Sequence, residues 1–207
     1  MTSGPTRVAV LVSGGGRGAA NLARACDAGE VAARIELVVA HRFDAPAVAR
    51  CRDLGLRVAV LPKGPDLDDR IDEVLEAART DLVCLAGYLR RFRIGTHWAG
   101  RALNVHPGLL PRFGGTGMYG HRVHRAVLDA GVAESGCTVH EVDEEYDHGP
   151  TVVERRCPVL PGDDPERLAE RVFAEEVVAY PEAVRRWIAR TTPRRGEASE
   201  CLAESRR

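Results

Sequence analysis

The sequence predicts an α/β fold: a mostly parallel, twisted sheet with flanking helices. Short apolar runs such as 7–12 (RVAVLV) and 35–40 (IELVVA) lack polar alternation, as strands covered on both faces do. Segments of helical periodicity separate these runs, so consecutive strands are joined by crossovers and lie parallel. Ser13, Gly87 and His106 then all fall at strand carboxyl ends, where sheets of this kind bind their ligands.

The elements follow in order. After the strand at 7–12, Ser13-Gly14-Gly15-Gly16-Arg17-Gly18 turns the chain into a helix at 19–28, stopped by Gly29. The strand at 35–40 leads to a helix at 45–54 and a short strand at 58–61. Leu67, Ile71, Val74, Leu75 and Ala78 share one helical face over 67–78, and 82–86 (LVCLA) is a fourth buried strand. A strand at 102–105 places Asn104 and His106 on one face. The second half adds a helix at 121–130 and strands at 137–142 and 152–159. The helical stretch 165–189 turns Leu168, Val172, Val177 and Val184 inward, and Pro181 is expected to kink or break it near Tyr180. The pattern as a whole is Rossmann-like.

At 207 residues the chain makes one domain over 1–190, in halves of 1–100 and 101–190. The Pro-, Arg-, Glu- and Ser-rich tail 191–207 has little to bury and reads as disordered. With 29 Lys and Arg against 30 Asp and Glu there is no basic field to draw nucleic acid. There is no apolar run of membrane-spanning length and no signal-peptide pattern, so the expectation is a cytoplasmic protein with no membrane partner. Cys26, Cys51, Cys84, Cys137, Cys157 and Cys201 are scattered without a C-x-x-C pair, as in a protein that keeps its thiols reduced.

Three stretches carry chemistry. In 103–111 (LNVHPGLLP) an amide and an imidazole stand two residues apart before a Pro-bounded turn. The amide suits a developing oxyanion and the imidazole moves protons near neutral pH, as acyl transfer requires; a buried turn with a satisfied Asn and His would use the same residues. The glycine-rich 13–18 loop, between strand and helix, suits a single phosphate. It lacks the Walker Lys-Ser/Thr, and no acidic residue closes the second strand as a dinucleotide site needs. Finally, 137–150 crowds acidic residues before a Gly-Pro turn, and Asp147 beside that turn would raise and orient the His106 imidazole. Metal binding by His106, His140 and Asp147 competes with this, but their spacing matches no standard zinc signature.

These motifs together resemble the phosphoribosylglycinamide formyltransferases, folate-dependent enzymes of purine synthesis. The resemblance rests on Val10-Leu11-Val12-Ser13-Gly14 with Asn21-Leu22, Leu85-Ala86-Gly87-Tyr88-Leu89-Arg90, Leu103-Asn104-Val105-His106-Pro107 with Leu109-Leu110-Pro111, and Gly136-Cys137-Thr138-Val139-His140 with Asp147 and Gly149-Pro150. It runs from Arg7 to Ala189 and implies the formyltransferase fold, with a nucleotide-binding first half and a folate-binding, catalytic second half. It implies direct attack of the glycinamide ribonucleotide amine on the formyl carbon of 10-formyltetrahydrofolate, a co-substrate, with no metal. Asn104 would stabilise the oxyanion by roughly 3–4 kcal/mol. A protonated His106 would support that charge, and Asp147 would hold the imidazolium. Ser13, Gly14, Gly15, Gly16, Arg17, Asn21, Pro107 and Glu176 would take the ribonucleotide. Leu89, Arg90, Arg91, Phe92, Asn104, His140, Val142, Asp143 and Asp147 would line the folate side.

Two stretches depart from the family's pattern. The common loop reads Ser-Gly-x-Gly-Ser-Asn-Leu, and 13–22 looks longer, with Arg17 offering a charged phosphate contact in place of the second serine. The Gly-rich 113–121 is also longer than the common stretch. Both lie on the acceptor side, so a sugar-nucleotide or natural-product amine is the alternative acceptor. A methionyl-tRNA enzyme would carry a further C-terminal domain, and a formyltetrahydrofolate hydrolase an N-terminal one. A non-catalytic phosphate- or nucleotide-binding module has no use for Asn104, His106 and Asp147 together. Small molecules are the expected partners, in a monomer or homodimer.

Overall fold

The computed structural model describes residues 4–191. Its elements run β1 (Thr6–Val12), α1 (Arg17–Asp27), β2 (Ala33–Ala40), α2 (Pro46–Asp53), β3 (Val58–Val60), α3 (Leu67–Ala77) and β4 (Leu82–Ala86). They continue with α4 (Gly95–Trp98), β5 (Ala102–His106), α5 (His121–Asp129), β6 (Glu134–Glu141), β7 (Thr151–Pro158) and α6 (Pro165–Thr191). The strands form one sheet in the order β3-β2-β1-β4-β5-β6-β7. The first five are parallel, and β6 and β7 run antiparallel to their neighbours.

The apolar strands are explained by two buried faces. Val8, Val10 and Val12 pack with Leu22 of α1 and with Leu168, Val172 and Ala183 of α6. Ala9 and Leu11 point the other way, toward Ile71 and Leu75 of α3 and toward Trp98. The period of two survives, but both phases are hydrophobic because helices cover both sides. From β1 the chain moves outward to β2 and β3, then returns to β4 on the opposite side. Strand order therefore reverses between β1 and β4, and the loops after them diverge to leave a crevice.

α1 begins at Arg17, immediately after Gly16, rather than at 19. The turn between β1 and α1 is therefore confined to Ser13–Gly16, and Arg17 is the first helical residue. Asn21 then lies one turn inside the helix. α6 also differs from expectation, running unbroken through Pro181. Proline has no N–H to give the Val177 carbonyl four residues earlier, which ordinarily breaks a helix. Here the Asn21 side-chain amide donates to that carbonyl at 2.9 Å. Buried Tyr180, Pro181, Ala183 and Val184 hold the same turn against the sheet. Val177, expected inward, is 37% exposed beside this junction. Thr191 closes the helix, and the tail expected to be disordered otherwise lies outside the described residues. No helix among the described residues is long and apolar enough to cross a membrane.

Candidate active site

A cavity of about 750 Å³ opens beyond the carboxyl ends of β1, β4 and β5. One end is the start of α1, the other the loops after β4 and β6, and Asn104 and His106 sit between them. The β1 and β4 loops are laced together. Ser13 N–H donates to the Gly87 carbonyl at 3.1 Å, and the Ser13 hydroxyl accepts from Leu89 N–H at 3.0 Å.

Asn104, His106, His140 and Asp147 converge at the cavity's centre. Asn104 and His140 face each other across the β5–β6 ladder, and the Asn104 amide donates to His140 Nε2 at 3.0 Å and to Asp147 Oδ1 at 3.3 Å. His140 Nδ1–H is committed to the Glu141 carbonyl at 2.7 Å, so its Nε2 is the acceptor. His106 Nε2–H donates to the Phe113 carbonyl at 2.7 Å, which leaves Nδ1 as the basic nitrogen. That nitrogen lies 3.4 Å from Asp147 Oδ2. Thr138 fixes the intervening turn, donating to the Gly108 carbonyl at 2.8 Å and accepting from Leu110 N–H at 3.2 Å.

Asp147 reaches this place through a left-handed backbone, φ 56°, a conformation non-glycine residues adopt chiefly at constrained sites. Its loop is closed by Gly149, where a Cβ would stand 2.0 Å from the Glu141 carbonyl oxygen. Only glycine allows the two backbones to pass. Gly115 N–H donates to Asp147 Oδ2 at 3.0 Å, tying the Gly-rich 114–120 strap to the carboxylate.

The electrostatics correct one expectation. Burial holds the His106 imidazole below its ordinary range, and the Asp147 charge only partly offsets this. His106 is therefore neutral in the free site rather than protonated. Burial alone would raise the Asp147 carboxyl; the His140 and His106 rings beside it and the hydrogen bond from Gly115 N–H outweigh this and hold the group below its usual value. The free site thus pairs a neutral base with an ionised acid's conjugate.

At the other end, α1 has no side-chain cap, so its first amides are left for a ligand. Gly16 is left-handed at φ 70°, and a Cβ there would stand 2.8 Å from Ala47 Cα. Gly14, Gly15, Gly16, Arg17, Pro107 and Glu176 line the cavity as expected of them; Ser13 and Asn21 do not. Ser13 is spent on Leu89 and Asn21 on the carbonyl orphaned by Pro181. Glu176 faces the cavity from α6, and burial pushes its carboxyl up to about 7, against the opposing charge of Arg17.

Leu89, Arg90, Arg91, Phe92, Val142 and Asp143 line the opposite end. Arg91 pairs with Glu144 at 2.6 Å, joining the β4 and β6 loops over the cavity. Sequence reasoning missed Tyr88 as a site residue; its buried hydroxyl and Arg90 Nε have no hydrogen-bond partner among the described residues. It also missed Met118, Tyr119 and Phe173 as lining residues. Phe173 lies three residues before Glu176, hence on its helical face. The Gly-rich stretch was legible only as a departure in length.

A family model described as formyl transferase matches residues 6–184. The chloroplastic phosphoribosylglycinamide formyltransferase of Arabidopsis thaliana is 40% identical over 187 residues, 86% of this chain and 64% of that protein. This chain thus spans just under two thirds of that relative's length. The Haemophilus influenzae phosphoribosylglycinamide formyltransferase is 32% identical over 182 residues, covering 84% of each. Among solved structures, glycinamide ribonucleotide transformylase 1 from Symbiobacterium toebii superposes with a TM-score of 0.84 at 35% identity, over 94% of this chain and 93% of its own.

Proposed function

This chain belongs to the formyl transferase family, and from that premise we propose that it transfers the formyl group of 10-formyltetrahydrofolate to the amine of 5'-phosphoribosylglycinamide. The observation that carries the reading is the Asn104, His106, His140 and Asp147 cluster, set between an anion-receptive helix start and a second pocket end. Asn104 offers an amide donor beside the centre. The attacking nitrogen forms the new C–N bond at the formyl carbon, and one Asn104 N–H turns from His140 or Asp147 to the oxyanion. His106 Nδ1, the free basic nitrogen, accepts the proton shed by the amine, and the neighbouring Asp147 carboxylate stabilises the imidazolium formed. Collapse of the tetrahedral intermediate breaks the bond to the folate nitrogen, which takes that proton back. No net proton is consumed.

The α1 amides and Arg17 receive the phosphate, and Glu176 faces the acceptor's sugar side. The β4 and β6 loops take the folate, with the unpartnered Tyr88 hydroxyl and Arg90 Nε suited to the carboxylates of its tail. The same reading makes this a cytoplasmic enzyme of small molecules, a monomer or homodimer, with no metal in the step. The test is tetrahydrofolate release from the 10-formyl donor with and without the ribonucleotide, for wild type and His106→Ala. Ribonucleotide-dependent turnover that falls at least about a hundredfold in the variant supports the reading. Donor binding without such turnover moves the acceptor elsewhere.

A further inference from the structure

Arg17 is held in an arrangement that its place in the loop does not require. Its guanidinium lies over the Phe173 ring, 3.8 Å from the centroid. Its two terminal nitrogens pair with the two carboxylate oxygens of Glu170 at 2.5 and 2.7 Å. Phe173 and Arg17 line the cavity, whereas Glu170, one turn earlier on α6, stands outside it. The carboxylate therefore grips the guanidinium from behind.

A guanidinium carries five N–H donors, and an end-on pair with one carboxylate uses two. The side-on fork, Nε–H with an outer Nη–H, has no partner among the described residues and matches two oxygens of a phosphoryl group. The first amides of α1, which have no side-chain cap, lie beside the same residue. Ser13 and Asn21 contribute no side chain here, and Gly14, Gly15, Gly16 and Gly18 have none to contribute. Among the loop's side chains, Arg17 alone reaches the cavity.

We infer that Glu170 and Phe173 are positioning residues that hold Arg17 in the orientation in which it receives the acceptor's phosphoryl group. The inference rests on the proposed ribonucleotide acceptor, which it refines. Recognition by hydroxyl and amide side chains is replaced by an oriented fixed charge. A lysine would not serve, since it neither stacks flat on Phe173 nor presents a second fork.

The test is a double-mutant cycle on the full chain, read as KM for the ribonucleotide, KM for the folate donor and kcat. Arg17→Ala is expected to raise the ribonucleotide KM by about tenfold to a hundredfold, a charge-assisted contact being lost. Glu170→Gln raises it about threefold to tenfold, Glu170→Asp restores part of the loss, and the folate KM does not follow. In the Arg17→Ala background, Glu170→Gln has no further effect; a merely structural Glu170 would add its own loss. An unchanged ribonucleotide KM in Arg17→Ala, or additive losses, overturns the inference while leaving the reaction assignment intact. Inorganic phosphate serves as a second probe, followed by its protection against thermal unfolding. If wild type shows no ribonucleotide-dependent turnover yet phosphate protects it, and does so less in both variants, the clamp stands and the acceptor assignment falls. Equal protection in all three proteins overturns the clamp.

Discussion

Two acidic side chains show how burial decides chemistry at the scale of one residue. Asp147 is held ionised with the Asn104 amide and Gly115 N–H donating to its two oxygens, whereas Glu176 has Arg17 as its neighbouring charge and burial pushes it up to about 7. The Glu176 carboxyl keeps its proton in the folded protein between its ordinary 4.5 and about 7, where the unfolded chain has lost it. Its contribution to stability therefore falls as pH rises through that window, by a penalty on the order of 3 kcal/mol above pH 7. Glu176→Gln should raise Tm at pH 8 and leave it unchanged at pH 4, in thermal scans at both pH values. The same variant should raise the ribonucleotide KM if the carboxylate faces the acceptor. His124 gives the opposite sign. Burial pushes its imidazole down to about 4, so unfolding takes up a proton between pH 4 and 6.5 and stability falls as pH drops through that range. His124→Gln should flatten the acid limb of a Tm-against-pH curve, and an unchanged limb would refute this assignment.

At the scale of elements, α6 and the 142–150 loop each depend on one residue far away in sequence. Asn21 keeps α6 intact across Pro181 by bonding the Val177 carbonyl. Asn21→Ala should cost about 1 kcal/mol, a normal hydrogen bond at a partly exposed site, in urea melts. Its ribonucleotide KM should stay at the wild-type value, since Asn21 faces α6 and not the cavity. In the 142–150 loop, Gly149→Ala puts a methyl 2.0 Å from the Glu141 carbonyl, backbone against backbone. The cost is about 3 kcal/mol or more, and Asp147 would be displaced with its loop. Activity should collapse even where the variant still folds, which circular dichroism beside the turnover assay would establish. The element boundaries show how much was legible. Buried strands and helical faces were readable because their periodicity is local. The unbroken α6 was not, because the donor that rescues it lies 156 residues away.

At the scale of the whole molecule, one cavity joins the α1 start, the β5 end and the β4 and β6 loops. A ligand spanning it bridges both halves of the chain and binds only the folded state. A folate donor at a hundred times its Kd should therefore stabilise the protein by about 2.7 kcal/mol. A rise in Tm with donor concentration checks this, and Gly149→Ala should abolish it. No such rise in wild type would mean that the folded protein does not bind the donor.

Local signals were enough for the α/β class, the strands' order along the chain and the candidate Asn104, His106 and Asp147 set, because turn chemistry and strand period act over a few residues. They also placed His106 and Asp147 in one site. Tertiary structure alone decided which charges survive there. It showed that desolvation outweighs Asp147 at His106 and that Ser13 and Asn21 are consumed by backbone groups. It also brought Glu170 of α6 behind Arg17. Such outcomes depend on burial and on partners brought together by the sheet, and neither quantity is a property of any short stretch of chain.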